Sequence, residues 1–210
     1  MPFVLGVAAA LVVGTLAGGR VERLTAVKVA WWQAAPVALG LQLLAIYGLP
    51  GLDRAALVAV LVGSQLALLV VALRNWRTFG VAVAGLGVAM NLAVMVANGG
   101  LMPISPETVA ASGRAGSWRI GDGSPGTHLA LSKDVIVPLA ETRLELLADR
   151  FHARMPGRLD VVFSLGDVVL LLGVMAGIVR AMTHDPNTPL EEQHETDAAG
   201  RGAYRALATR

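Results

Sequence analysis

The stretch that decides the fold runs from Phe79 to Ala97 and reads FGVAVAGLGVAMNLAVMVA. It contains no charged residue, and its one strongly polar side chain is Asn91. A helix rises about 1.5 Å per residue, so about 20 apolar residues cross a hydrocarbon core about 30 Å thick. The sequence therefore predicts a transmembrane helix here.

Four further apolar runs of similar length occur, at residues 3–17, 29–49, 55–73 and 161–179. They do not alternate polar and apolar residues, and they are too long for barrel strands. The chain is 55% hydrophobic and only 15% charged, whereas soluble domains carry about 25% charged residues. We expect an all-α integral membrane helical bundle of about five transmembrane helices spanning residues 1–182. Residues 98–160 form a long, partly helical extracytoplasmic loop, and 183–210 a disordered cytoplasmic tail.

Basic residues in short loops predict the orientation. Three such groups fall on one side of a five-span bundle, and they comprise Arg20, Arg23 and Lys28, then Arg74 and Arg77, then Arg180. No Lys or Arg precedes the first run, which is the opposite of a cleaved signal peptide. We expect a retained first span, the N-terminus outside and the C-terminus in the cytoplasm, in a bacterial inner membrane.

Two helices are predicted within the outer loop. Ser105 and Pro106 have the pattern of a helix cap followed by a first helical position. Residues 138–155 place an apolar stripe at helical spacing and predict an amphipathic helix at the membrane interface. The stripe consists of Ala140, Leu144, Leu147, Phe151 and Met155.

Small residues recur four apart in three of the predicted spans and predict close helix packing, although a Gly- and Ala-rich composition explains them equally well. They are Gly6, Ala10, Gly14 and Gly18, then Ala59, Gly63 and Ala67, then Gly173 and Gly177.

Asp167 is the one acidic residue inside a predicted span, about 9 Å from its start if the helix begins near Val161. Four other polar residues are expected to converge with it near the outer leaflet, namely Gln42, Asn91, Asn98 and Ser164. This cluster is either structural glue between helices or a binding site. We expect Asp167 to contact a donor, with Asn98 or the backbone of Gly99 and Gly100 favoured.

The sequence indicates no cofactor, no metal and no nucleic-acid partner. Cysteine is absent, which excludes thiolate catalysis and Cys-type zinc sites. Asp149 and His152 have possible ligand spacing, but a solvated helix face explains the pair better. No phosphate-binding loop or hydrolase elbow is found.

Two segments together resemble a known family. ANGGLMPIS at residues 97–105 closes the fourth run, and VFSLGDV at 162–168 opens the fifth. With LADR at 147–150, they are similar to the bacterial multi-pass family catalogued as domain of unknown function 5317. The resemblance implies a small inner-membrane protein and brings no activity, substrate or partner.

A second likeness has sharper chemistry. LADR at 147–150 and FSLGD at 163–167 resemble the two motifs of lipoprotein signal peptidase, Asn-x-x-Asp-Arg and Phe-Asn-x-Ala-Asp. The chain departs at Leu146 and Ser164, where those motifs have Asn, and at Gly166, where they have Ala. The resemblance implies Asp149 and Asp167 as paired catalytic carboxyls.

Three functions therefore remain open. The first is a non-enzymatic membrane protein that binds a lipid or a membrane-protein partner through its outer loop. The second is an aspartyl membrane hydrolase that uses Asp149 and Asp167. The third is a small transporter, against which stand a single intramembrane acid and the absence of internal repeats.

Overall fold

The computed structural model of the chain describes residues 2–49, 51–112, 126, 128–129, 132–155 and 159–184. Most of these residues are helical, as predicted. The six α-helices are α1 Pro2–Leu16, α2 Ala34–Leu43, α3 Arg54–Arg74, α4 Phe79–Ala97, α5 Pro106–Ala111 and α6 Leu165–Thr183. The four strands are β1 Met102–Ile104, β2 Asp134–Ile136, β3 Phe151–Met155 and β4 Leu159–Phe163.

Among the described residues, three helices are long and apolar enough to cross a membrane: α3, α4 and α6. The fourth run gives α4 with the predicted bounds, and the third gives α3. The first and second runs form apolar helices that are shorter than a typical span. Helix α1 has 15 residues, and α2 continues through a π-helical turn to Gly48.

The largest helix interface joins α4 to α6, and glycines on both helices make it possible. A Cβ atom on Gly173 would fall on the backbone of Ala84, and one on Gly80 would fall on the backbone of Gly177. Two backbones can approach this closely only where the residue that faces the neighbouring helix has no side chain. The small residues of the last span therefore do pack as their spacing predicts, whereas Gly63 of α3 faces open space.

The segment predicted as the outer loop, residues 98–160, is called the outer segment below. For it, one prediction is confirmed and one is wrong. Ser105 caps α5 by accepting a hydrogen bond from the Thr108 amide, with Pro106 at the first helical position, as predicted. The predicted amphipathic helix over 138–155 is wrong. Two 3-10 turns, Leu139–Glu141 and Glu145–Leu147, are followed by strand β3.

Backbone geometry explains why this helix does not form. Leu144 has φ +56°, a left-handed conformation that no right-handed helix can contain. Beyond it, Phe151 to Met155 pairs antiparallel with Leu159 to Phe163. The Phe151 ring stacks on that of Phe163, so cross-strand pairing replaces the helical stripe.

The fifth run also begins differently from the prediction. Residues 159–163 form β4, and α6 starts at Leu165 and ends at Thr183. The predicted disordered tail, apart from Thr183 and His184, lies outside the described residues.

The glycine contact gives a direct test with a matched control. Gly173→Ala should lower stability by about 1–3 kcal/mol, because the new methyl group forces α4 and α6 apart. Gly63→Ala adds the same methyl group where it meets nothing, so it should be neutral or slightly stabilising. The thermal midpoint of the purified protein in detergent measures both. Equal midpoints for the two variants would contradict the packing argument.

Candidate functional site

A small sheet gathers acidic residues from distant parts of the chain at one end of the helix bundle. Its central strand β1 pairs in parallel with β2, with Met102 opposite Asp134. On the other edge of β1, Asp149 forms a bridge with Ile104, and its amide donates to the carbonyl of Pro103. Met102 and Ile104 are fully buried, so this sheet is anchored in the apolar core.

Lys133 lies between two of the acids. Its Nζ is 3.3 Å from Asp149 Oδ2 and 3.6 Å from Asp167 Oδ2. The separation between Asp149 Oδ2 and Asp167 Oδ2 is therefore at most the sum of these two distances. The Lys133 backbone is fixed as well, because its carbonyl accepts from the Met102 amide at 3.0 Å.

Asp167 is held at the start of α6 by a reciprocal cap. The Ser164 Oγ accepts from the Asp167 amide, and Asp167 Oδ2 accepts from the Ser164 amide. Asn91 of α4 joins them, since its Nδ2 donates to Asp167 Oδ1 at 2.8 Å and its Oδ1 accepts from Ser164 Oγ at 2.9 Å. The close α4–α6 packing is what brings Asn91 within reach.

A third acid, Asp134, lies next to Lys133 in the chain. Its Oδ2 accepts from Ser132 Oγ at 2.5 Å. Asp134 Oδ1 and Asp149 Oδ1 are both buried without a hydrogen-bond partner. One ammonium thus faces three carboxyls in a nearly dry site, which favours keeping a proton on one of them.

The pKa shifts follow from this imbalance. Burial raises the pKa of Asp149 to about 8; Lys133 opposes the rise, and Asp134 and Asp167 add to it. Burial alone would lower the pKa of Lys133, but the surrounding carboxylates outweigh it and raise that pKa above its ordinary range. The raised pKa of Lys133 keeps its ammonium charged, and the raised pKa of Asp149 favours its protonated form.

The structure brings together only part of the expected polar cluster. Asn91, Ser164 and Asp167 are in direct contact, and Lys133 links Asp149 to them. The other two residues bond elsewhere. Gln42 donates to Ser64 between α2 and α3, and Asn98 exchanges two hydrogen bonds with the backbone of Arg143.

Two expectations for Asp167 need correction. It does not lie deep within a span, because α6 begins only at Leu165 and Asp167 belongs to its first turn. It does contact donors, but these are Asn91, the Ser164 amide and Lys133 rather than Asn98 or the glycine backbone. Gly99 and Gly100 instead follow the end of α4 at φ +82° and +92°.

Sequence reasoning missed Lys133 and Asp134. The signal available was the polar triplet Ser132-Lys133-Asp134 immediately before the apolar Val135-Ile136-Val137. Such a triplet is common at the start of a strand and carries no functional information alone. Its importance comes from the pairing of β2 with β1, which involves residues about thirty positions apart in sequence.

Chemically, the arrangement places a carboxyl of raised pKa, that of Asp149, and a second carboxyl, that of Asp167, on either side of one ammonium. The Lys133 side chain is 31% exposed and that of Asp167 21%, so the site opens to its surroundings there, whereas Asp149 is 2% exposed. Within the described ranges, no three His, Cys, Asp or Glu side chains are arranged to hold a metal ion.

Comparison with known proteins places the chain in a family. Residues 26–179 match the model of a family of unknown function, DUF5317. The chain belongs to this family, as its two motif segments indicate, and the matched region contains Asn91, Lys133, Asp149 and Asp167. No curated protein and no solved structure matches the chain.

The raised pKa of Asp149 predicts how stability depends on pH. Between about pH 4 and about pH 8 the folded chain keeps a proton that the unfolded chain has released. The contribution of this group is therefore full below about pH 4, falls as the pH rises through this window, and is lost above about pH 8. The Asp149→Asn side chain does not titrate. As the pH rises from about 4 to about 8, the thermal midpoint of this variant should therefore fall less than that of the wild type.

The matched control removes an exposed carboxyl from the same outer segment. Glu141→Gln should leave the pH dependence of the midpoint unchanged, because that side chain lies outside the buried cluster. A wild-type slope in Asp149→Asn would show that the group does not hold its proton when folded.

Proposed function

We propose that this chain is a five-span bacterial inner-membrane protein whose outer segment lies on the membrane surface and contacts lipid there. Helices α1 and α2 count as spans in this proposal, despite their length, because their outward surfaces are apolar. Exposed side chains on them include Val4, Val12, Leu16, Val37 and Leu41. Such surfaces are stable in hydrocarbon and costly in water.

The proposed lipid contact is supported by the two hydrogen bonds between Asn98 and the backbone of Arg143. Asn98 ends α4; its Nδ2 donates to the Arg143 carbonyl at 2.8 Å, and the Arg143 amide donates back at 3.0 Å. The outer segment is thereby fixed at the depth where a membrane helix ends.

Apolar side chains are exposed at this same depth. The next residue, Leu144, is 51% exposed, and Leu146 is 66% exposed. The basic Arg143 beside them suits lipid phosphate, and this combination is typical of an interfacial segment.

The topology can be tested without removing any native thiol, since the chain has no cysteine. Single cysteines at Arg77 and at Glu107 should react with membrane-impermeant reagents from opposite sides of intact cells. Glu107 should react from outside and Arg77 only after permeabilisation. Labelling of Glu107→Cys only after permeabilisation would refute the orientation.

The lipid contact has its own measurement. A fluorophore on Leu144→Cys or Leu146→Cys should be quenched strongly by nitroxides at the lipid headgroup or upper acyl chain. The same fluorophore on Glu107→Cys, in the exposed first turn of α5, should be quenched much less. Equal quenching at the three positions would contradict an interfacial outer segment.

A second candidate is an aspartyl membrane hydrolase, favoured by one observation. Asp149 and Asp167 lie on either side of a single group, and the pKa of Asp149 keeps that carboxyl protonated at neutral pH. General acid–base catalysis needs such an acid beside a second carboxyl. Lys133 Nζ occupies the space that a shared water would need, which places this candidate second.

Cleavage of a membrane peptide distinguishes the two candidates. A single-span peptide with a fluorophore and a quencher on its two sides, reconstituted with the protein, should remain intact if the first proposal holds. A hydrolase would cleave it; Asp149→Asn and Asp167→Asn would each abolish cleavage while remaining folded, and Glu141→Gln would not. Cleavage that survives both substitutions would rule out the carboxyl pair.

A further inference from the structure

A second constellation lies at the opposite end of the bundle, where the chain enters α2 and where α3 turns into α4. Three of the four tryptophans lie there: Trp31 and Trp32 before α2, and Trp76 between α3 and α4. All three are largely exposed, at 61%, 60% and 64%. Large aromatic side chains are seldom this exposed in water, so their surroundings require an explanation.

The two tryptophan-bearing segments are fastened to each other by one buried side chain. Asn75 Oδ1 accepts from the Ala30 amide at 2.8 Å, and Asn75 Nδ2 donates to the Ala30 carbonyl at 2.9 Å. Asn75 also donates to the Val71 carbonyl, which fixes it to the end of α3. Since Ala30 precedes Trp31 and Asn75 precedes Trp76, the clamp brings the aromatic residues of both segments to one place.

The strained backbone of Trp31 indicates that neighbouring residues hold this segment in place. Trp31 has φ +59°, a left-handed conformation that bulky residues rarely adopt. Its carbonyl accepts from the Ala34 amide, and the preceding residue is the one that Asn75 holds. A strained residue persists where its neighbours fix it, and such residues often mark binding positions.

Positive charge surrounds the tryptophans. Arg74 and Arg77 flank Trp76, both are exposed, and the Arg77 guanidinium lies 5.4 Å from the centroid of the Trp76 ring. The exposed Lys28 lies three residues before Trp31, and Arg20 is exposed in the same connection. The one acidic side chain in these two connections is Glu22. This excess of positive charge suits an anion.

The neighbouring side chains determine which anion fits. Leu73 is 63% exposed and Phe79 is 58% exposed, and they lie immediately before and after the Arg74–Thr78 turn. The basic and aromatic groups therefore stand where an apolar surface ends. In a membrane this is the level of the phosphate groups, and amphipathic tryptophan rings concentrate there.

We propose that Trp31, Trp32, Trp76, Arg74 and Arg77 form a binding site for an anionic phospholipid headgroup, held in shape by the Asn75 clamp. Tryptophan rings pack on the glycerol and upper acyl region, and the guanidinium groups pair with the phosphate. The site requires α3 and α4 to lie in a membrane. It does not depend on the span count, on the orientation or on the outer segment.

The test uses the tryptophans as reporters. Trp118→Phe leaves the three tryptophans of the site as the only ones in the chain. This protein is reconstituted in nanodiscs of phosphatidylcholine that contain increasing amounts of brominated phosphatidylglycerol. Enrichment of the anionic lipid at the site should quench fluorescence well above the level given by brominated phosphatidylcholine at the same content.

Variants separate this site from general attraction to an anionic surface. In the same background, Arg74→Gln with Arg77→Gln should weaken the apparent affinity for phosphatidylglycerol by about fivefold per arginine. The control, Arg54→Gln, removes an exposed arginine from the other end of the bundle and should leave the affinity unchanged. Asn75→Ala should also lower the affinity, because the two segments lose their link.

Each possible result either supports or overturns the proposed headgroup-binding site. Preferential quenching that is lost in the Arg74 and Arg77 variant but kept in the control supports the site. Equal quenching by both brominated lipids, or equal loss in variant and control, overturns it. If Asn75→Ala lowers the thermal midpoint too far to be measured, the arginine pair still gives the answer.

Discussion

A buried carboxyl needs a counter-charge or a proton, and the end of the bundle that carries the small sheet is organised around that requirement. Asp149 lies on the small sheet and Asp167 at the start of α6, and Lys133 reaches both from the residue before β2. One ammonium thus joins three segments that are distant in sequence. Because Asp134 adds a third carboxyl, the single ammonium of Lys133 cannot neutralise the cluster, and burial together with the neighbouring carboxylates raises the pKa of Asp149.

This charge cluster depends on how closely α4 and α6 approach. Glycines on both helices let the backbones meet, and only then does Asn91 reach Ser164 and Asp167. Asn91 has a donor and an acceptor on one amide, so it serves the carboxylate and the hydroxyl at once. A pattern of small residues along the helices therefore determines the hydrogen bonding of a polar site at the end where α4 stops and α6 begins.

The sequence was informative wherever local physical chemistry decides the structure. Helix α4 was predicted residue for residue, because an uninterrupted apolar run has few alternatives, and the Ser105 cap was predicted from local sequence as well. It failed where distant segments compete with local spacing. The stripe from Ala140 to Met155 fits a helix, but Phe151 to Met155 gains more by pairing with β4. The place of Lys133 in the charge cluster could not be predicted for the same reason, because only the parallel pairing of β1 and β2 brings Lys133 next to its neighbours.

The same hydrogen-bond arrangement, made by one asparagine at the end of a helix, occurs at both ends of the bundle. Asn75 ends α3 and Asn98 ends α4, and each bonds the carbonyl four residues earlier in its own helix. Each then exchanges a pair of hydrogen bonds with one residue of another segment, Ala30 in one case and Arg143 in the other. A carbonyl oxygen in the last turn of a helix can accept a second hydrogen bond, and an asparagine side chain can bond it and still bond the backbone of an incoming segment. That single residue type therefore fixes the aromatic and basic turn at one end of the bundle and the exposed leucines at the other, which is why both surfaces lie where the apolar helices stop.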